Sequence, residues 1–215
     1  MIGVRHSSTP ETYLTTPDLK TRNFGMTLDS NGVHMGSYGF GCVSHNNTTT
    51  AKLHKDGPWK IISTFHGTMT RLGIWDANGK LERDVSFGAG MGKGGGYGAI
   101  SLGRSSMQDL CVEDLDGDGV KEIILAYNRR IITVFDPELK LIRLIRLEEN
   151  PCTVTAVNGV IVAGCFNGDL LWFTRDGKPV KKAKLPGAVS LLQIHGDTLY
   201  AGTGQGVLAA FRIVK

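Results

Sequence analysis

No apolar run in the chain approaches the roughly 20 residues a membrane-crossing helix needs, and the start, Met1 to Tyr13, has no apolar h-region. A membrane span is not expected; an exported form would have lost its signal or use another type. Neither sign of charge dominates: charged residues make up 20%, and the formal net charge of +4 is spread along the chain. That spread speaks against a nucleic-acid groove or a polybasic membrane patch. The 4 cysteines include no C-x-x-C pair, so a zinc knuckle has no support. His6, His34, His45, His54, His66 and His195 are scattered with no pair at metal-ligand spacing, and no G-x-S-x-G elbow exists. Proline is scarce at 7, and continuous 3.6-residue periodicity is scarcer still, which disfavours a helical protein.

Glycine, by contrast, is abundant at 29, and it punctuates short apolar runs in the manner of strands joined by tight turns. The segment Thr153–Phe173 overlays Ser190–Phe211, with Gly164 meeting Gly202, Gly168 meeting Gly206 and Phe173 meeting Phe211, each at a spacing of 38. Ile123–Phe135 repeats the frame one step earlier, since Phe135 lies 38 residues before Phe173. A diverged fourth copy runs from about Thr50 to Phe87, where Trp75-Asp76 parallels Phe135-Asp136.

In the clearest unit, Thr153–Val157 turns at Asn158-Gly159 into Val160–Cys165, then at Asn167-Gly168 into Asp169–Phe173, then at Asp176-Gly177-Lys178 into Pro179–Leu185. Asn-Gly between apolar runs signals a hairpin because both central residues of a type I′ turn need positive φ. Four strands in about 40 residues is the size of a propeller blade. The expected fold is therefore all-β: a β-propeller of four-stranded antiparallel blades, four of them recognisable and four to five in total.

As one domain over residues 1–215, the chain divides into an N-terminal segment (1–49), a blade (50–87), a Gly-rich insertion (88–106), a blade bearing an acidic loop (107–148), a further blade (149–186) and an incomplete last one (187–215). After Gly206–Phe211 too little chain remains for a fourth strand, and part of residues 1–47, with Asn31–Cys42 the candidate, is expected to close the ring. The competing reading is a piece of a larger ring.

The sharpest chemical signal is Asp114-Leu-Asp116-Gly-Asp118-Gly-Val-Lys-Glu122. Carboxylates at Asp114, Asp116 and Asp118 stand at positions 1, 3 and 5, the Val120 carbonyl falls at 7 and Glu122 at 9. Ca²⁺ takes six to eight hard oxygens, and this spacing supplies them from one short loop. An EF-hand would need flanking helices and an acid at position 12, which is Leu125 here. The competing reading is an ion-free Asp/Gly turn, although three crowded carboxylates would repel one another.

At these residues the chain resembles the integrin-α type (FG-GAP, or VCBS-like) propeller repeats, whose hallmark is a D-x-D-x-D-G loop between the first two strands of a blade. Residues 153–211 look more like the plainer quinoprotein-like or WD-like repeats. The resemblance is good over 107–215 and weak over 50–87, where Lys52-Leu-His-Lys-Asp56-Gly57 has basic residues in place of the acids. It implies a propeller and a Ca²⁺ ion; families with these repeats include adhesion receptors, glycan-binding lectins, polysaccharide lyases and trafficking scaffolds.

Long loops on a rigid scaffold commonly carry function. The insertion Phe87–Gly98 should share a face with the turns at Asn128-Arg129-Arg130, Asn167-Gly168 and Gly204-Gln205, which makes Lys93, Tyr97, Arg129 and Arg130 candidate contacts for a protein or glycan. A floppy linker is the alternative for the glycines. Gly90-Met-Gly92-Lys-Gly-Gly95 matches G-x-G-x-x-G, but no helix opens after it and no Ser or Thr follows Lys93, so nucleotide binding is rejected.

Counting outward from Asn158-Gly159 places Cys152 opposite Cys165, where a cross-strand disulfide is feasible; two reduced thiols are the alternative. Cys42 and Cys111 have no inferable geometry. Asn46-Asn47-Thr48-Thr49 holds two overlapping glycosylation sequons, relevant to a eukaryotic secreted protein. These features favour an extracellular setting slightly, against the missing signal. Trp75 and Trp172 read as packing between blades, with Trp59 a lesser candidate for stacking on sugar. The favoured function is a non-enzymatic, Ca²⁺-stapled interaction module; the alternative is a polysaccharide lyase or a propeller fragment of one.

Overall fold

The computed structural model describes residues 2–5, 11–15, 21–23, 44–66, 71–78, 80–86, 107–127 and 129–213. Every regular element among them is a β-strand, and no helix is long and apolar enough to cross a membrane. The chain forms two compact units, one of Met1–Lys52 with Asp56–Met107, the other of Leu53–Lys55 with Gln108–Lys215.

The first unit holds a three-stranded sheet of β1 (Ile2–Arg5), β2 (Glu11–Thr15) and β3 (Thr21–Asn23), and a four-stranded meander of β4 (Ser44–Lys52), β5 (Trp59–His66), β6 (Arg71–Asp76) and β7 (Leu81–Ser86). Ile62, Leu72 and Ile74 are fully buried in the meander, and Trp75 is nearly so. Within β4, Asn47 lies in the strand with its side-chain amide nitrogen buried, and Thr48 exchanges a 2.8 Å bond with Ser63.

The second unit holds three successive meanders. The first is β8 (Met107–Glu113), β9 (Glu122–Tyr127), β10 (Ile131–Phe135) and β11 (Leu141–Arg146). The next is β12 (Pro151–Val157), β13 (Val160–Cys165), β14 (Asp169–Thr174) and β15 (Pro179–Lys184). The last, of three strands, is β16 (Val189–His195), β17 (Thr198–Thr203) and β18 (Leu208–Arg212).

The 38-residue frame is visible strand by strand: β9, β10 and β11 begin 38 residues before β13, β14 and β15 (160 − 122, 169 − 131, 179 − 141). The first strands are offset by 44 instead (151 − 107), and the six additional residues lie in the acidic loop between β8 and β9. That loop is thus an insertion into an otherwise regular blade.

Apolar alternation decides which faces meet. Ile124, Ile132 and Val134 of the first meander pack on Val154, Ile161 and Phe173 of the second. The second meander presents its other face, Val162, Leu170 and Trp172, to Val189, Leu199 and Ala201 of the third. Side chains of this size each contribute about 2–3 kcal/mol when fully removed from water. Gly164 permits the close approach at the second contact: a Cβ there would lie 2.6 Å from Val189 Cγ1 and 2.9 Å from Thr153 Cγ2.

A bulge recurs where the third strand meets the fourth, at Trp75, Phe135 and Phe173, whose partners are Leu81, Leu141 and Pro179. The turn that follows is also shared: Asp76, Asp136 and Thr174 each accept the amide four residues on through the side chain, at 2.9, 2.8 and 3.2 Å.

Two local expectations need correction. Asn158 and Gly159 adopt φ of 50° and 76°, as a type I′ turn requires, but at the next hairpin only Gly168 is left-handed. There Gly168 donates its amide to the Cys165 carbonyl at 3.1 Å, closing a longer turn in which a Cβ at Gly168 would strike the Leu185 carbonyl at 2.2 Å. Cys152, moreover, does not face Cys165. The ladder pairs Thr153 with Gly164 but Pro151 with Cys165, so Cys152 is the extra residue of a bulge and both thiols are free. The same bulge recurs at Ser190 in β16, which makes it a property of the blade. The expected closing segment Asn31–Cys42, the glycine-rich insertion with Lys93 and Tyr97, and Asn128 lie outside the described residues.

Candidate metal centre

The acidic loop is shaped by its own carboxylates. Asp114 Oδ1 accepts the Gly117 amide at 2.7 Å and Oδ2 the Gly119 amide at 2.9 Å. Asp116 Oδ1 accepts the Asp118 amide at 3.3 Å, and Asp118 Oδ1 the Val120 amide at 2.7 Å. Such a succession winds the chain tightly, and it needs φ of 79° and 88° at Gly117 and Gly119. The Gly119 amide is the main reason the Asp114 carboxyl is held below the usual range.

Oxygens of Asp114, Asp116 and Asp118 thereby lie within 4.8 Å of one another. Ca²⁺–oxygen distances of about 2.3–2.6 Å put ligands on opposite sides of an ion about 5 Å apart, so the three fit inside one coordination shell. The donors suit a hard divalent cation, with the Val120 carbonyl next in the loop. Glu122 is not brought into this group. Its Oε2 accepts the Leu115 amide at 2.8 Å, the residue is 8% exposed, and burial raises its pKa against the effect of that bond. It clips the base of the loop where β9 begins.

Two further contacts were not visible in the sequence. Arg175, in the turn after β14, places Nη1 2.8 Å from Asp116 Oδ2. The strip Leu53–Lys55 lies along the loop: Lys55 donates its amide to Gly119 at 2.9 Å, and Lys121 donates to Leu53 at 2.8 Å. This is the stretch whose basic residues depart from the acidic pattern. It rests on the acidic loop in place of carrying one. A small cavity of ≈ 190 Å³ adjoins the site, bordered by Asp116, Glu122, Arg143 and Arg175.

Of the candidate interaction residues, Arg129 and Arg130 are described and exposed. Arg130 has φ of 59° and donates its amide to Asn150 Oδ1 at 3.1 Å, while its carbonyl accepts the Leu147 amide at 2.8 Å. The hairpin backbone is therefore anchored and leaves both guanidinium groups outward.

Repeated antiparallel meanders stacked face to face, with one insertion in an otherwise constant frame, define a β-propeller. No family model matches the chain, and no curated protein matches its sequence. Solved propellers do match its structure. Sqt1 of Saccharomyces cerevisiae superposes with a TM-score of 0.68 at 11% identity, over 95% of this chain and 53% of that one. BBS1N, crystallised in complex with ARL6DN, gives 0.66 at 13% identity over 95% and 60%. The Dos1 propeller gives 0.67 at 10% identity over 99% and 53%. The chain thus spans just over half the length of these three neighbours.

Proposed function

We propose that the chain is a non-enzymatic β-propeller interaction module, stapled by Ca²⁺ at the Asp114–Glu122 loop and presenting exposed turns to a protein partner. The grouping of three aspartate oxygens within 4.8 Å carries the ion half of this reading. Three carboxylates this close repel one another in the absence of a cation, and Arg175 neutralises only Asp116. Ca²⁺ would be held by Asp114, Asp116, Asp118 and the Val120 carbonyl, and it would supply structural neutralisation of a loop inserted between β8 and β9.

The interaction half is supported by the scaffold and by Arg129-Arg130 on an anchored turn, whose planar forks suit carboxylates on a partner. BBS1N, a propeller of similar fold, was crystallised with ARL6DN, which makes a protein the first partner class to test. Glycan is the second class, to be probed with acidic polysaccharides.

A thermal melt of the metal-stripped protein with and without millimolar Ca²⁺ tests the staple. An ion that binds only the native state at 100 times its Kd adds about 2.7 kcal/mol. Asp118→Asn keeps the oxygen that receives the Val120 amide while removing charge, and should abolish the rise in midpoint. An unchanged midpoint in the unsubstituted protein would remove the ion from the reading.

A further inference from the structure

Arg130 occupies a backbone position that the other repeats give to glycine. In the 38-residue frame its counterparts are Gly168 and Gly206, and all three are left-handed, with φ of 59°, 92° and 77°. The blade asks for this conformation: the Arg130 carbonyl accepts the Leu147 amide at 2.8 Å, as that of Gly168 accepts the Leu185 amide at 2.9 Å. Glycine adopts it freely, whereas a residue with a side chain is strained there by its own Cβ. Leu139 shows the same exchange against Gly177, at φ of 62° and 80°, but Leu139 is 5% exposed, so burial of its side chain offsets the strain. Arg130 has no such compensation. Its side chain is exposed, and among the described residues its guanidinium pairs with no carboxylate. Strain kept at an exposed residue of this kind is the mark of a side chain put to use.

A second residue beside it also departs from the repeat. Phe166 opens the turn at Asn167-Gly168, is 51% exposed, and stands where the other repeats have Asn128 and Gly204. Asn150 holds the two together: its carbonyl accepts the Phe166 amide at 3.0 Å, and its Oδ1 accepts the Arg130 amide at 3.1 Å. The first bond recurs from Gly204 to Ala188, but Ala188 has no side-chain acceptor to supply the second. The arginine turn and the phenylalanine turn thus form one anchored platform. Arg129, next in the chain, and Arg146, across the ladder from Ile131, are exposed and likewise pair with no carboxylate among the described residues. The acids nearby are Glu148 and Glu149, and Glu148 lies 3.9 Å from the Lys182 ammonium, so positive charge is in excess.

We propose that Arg130 and Phe166 form the docking point for an acidic segment of a partner protein, in which a carboxylate takes the Arg130 fork and a neighbouring apolar side chain covers the Phe166 ring. Arginine and aromatic anchors carry much of the energy at protein interfaces, and a backbone already fixed has little order left to lose on binding. Phenylalanine has no polar handle, so its exposed ring is best covered by an apolar side chain, which favours a peptide over a sugar surface of hydroxyls. The docking point rests on the interaction-module reading and gives it a location and a partner chemistry. It makes no use of the aspartate loop, so failure of calcium binding leaves it standing.

The test uses the whole chain and a fluorescent peptide of repeated glutamate-glutamate-leucine, with lysine-lysine-leucine and glutamate-glutamate-serine peptides as controls. Anisotropy should report a Kd for the first of roughly tens to hundreds of micromolar, and binding of each control weaker by at least about fivefold. Arg130→Gly should weaken the first peptide by at least about fivefold, and Phe166→Asn by at least about threefold. Arg130→Gly should at the same time leave the thermal midpoint unchanged or raise it, a result that loss of a merely structural residue would not give. Acidic-peptide binding that survives both substitutions overturns this docking point while leaving the interaction module in place. A lowered midpoint for Arg130→Gly, equal binding of all three peptides, or binding of polygalacturonate with none of the acidic peptide each overturns the proposal.

Discussion

Thr153 donates its hydroxyl to the Asp109 carboxylate at 2.6 Å, tying β12 of one meander to β8 of the meander before it. The same oxygen takes the Val154 amide at 2.9 Å, while the other takes the Leu110 amide at 2.8 Å. One side chain thus joins the first strands of two sheets whose buried contact is otherwise largely apolar.

Asp109→Ala should destabilise the protein by about 2 kcal/mol, since it strands a donor hydroxyl and an amide at the sheet contact. Thr153→Val alone should cost about 1 kcal/mol, because Asp109 keeps its bond from Val154. Denaturant melts of both and of the double substitution check this, and the double variant should fall well short of additive.

Arg175→Gln removes the cation that lies against Asp116. An exposed ion pair of this kind contributes under about 1 kcal/mol, so the metal-free melt should barely move. If the loop binds Ca²⁺, loss of a neighbouring positive charge should tighten that binding about threefold to tenfold, measured by titration calorimetry. Weaker binding would mean that Arg175 positions the loop for the ion instead of competing with it.

Asp169 predicts an acid limit. Burial pushes its carboxyl up, but bonds from Asn167, Lys182 and Lys184 outweigh that and hold it at about 2. A depressed carboxyl adds stability in full above its unfolded value, near 3.8, and loses it as pH falls toward 2. Lys182 and Lys184 are 53% and 60% exposed, at 3.0 and 3.2 Å, so solvent screening limits the contribution to on the order of 1 kcal/mol. Asp169→Asn should therefore flatten the stability curve between pH 4 and 2 and lower the plateau above it, as read by urea melts at stepped pH.

The free thiols should be quiet. Burial raises Cys165 to about 12 and Cys152 to about 11, and nearby carboxylates add to the effect, that of Asp169 on Cys165 and that of Glu149 on Cys152. At pH 7.5 both stay neutral, and since the thiolate is the nucleophile, alkylation of Cys152 and Cys165 in the native protein should be slow and should accelerate at the unfolding midpoint. Because the unfolded thiols ionise first, near 8.5, stability should also decline as pH rises above that value. Mass spectrometry of pulse-alkylated samples reads the first effect, and melts at pH 7 to 10 the second.

Most of the fold was legible because hairpin chemistry is local. Asn158-Gly159 marked its turn, and the phenylalanines at 135, 173 and 211 marked the frame, since each sheet needs a large apolar group at the same place. The cysteine pairing was misread for a definite reason: counting from the turn assumes an uninterrupted ladder, and the bulge at Cys152 has no residue signature. Position along the loop also does not disclose that one oxygen of Glu122 accepts the Leu115 amide. Arg175 and Lys55 could not be assigned to the loop at all, being 59 and 61 residues from Asp116 in the chain (175 − 116, 116 − 55).

The amino-acid sequence by itself determined the strands, the repeat and the spacing of three aspartates, because propensity, alternation and turn formation act over a few residues. Only the tertiary structure decided which sheet faces meet, which oxygen of each carboxylate is already bonded, and that Asp109, Arg175 and Leu53–Lys55 join residues far apart in the chain. Those outcomes depend on how neighbouring sheets dock, and docking is set by the summed fit of many side chains that no single motif encodes.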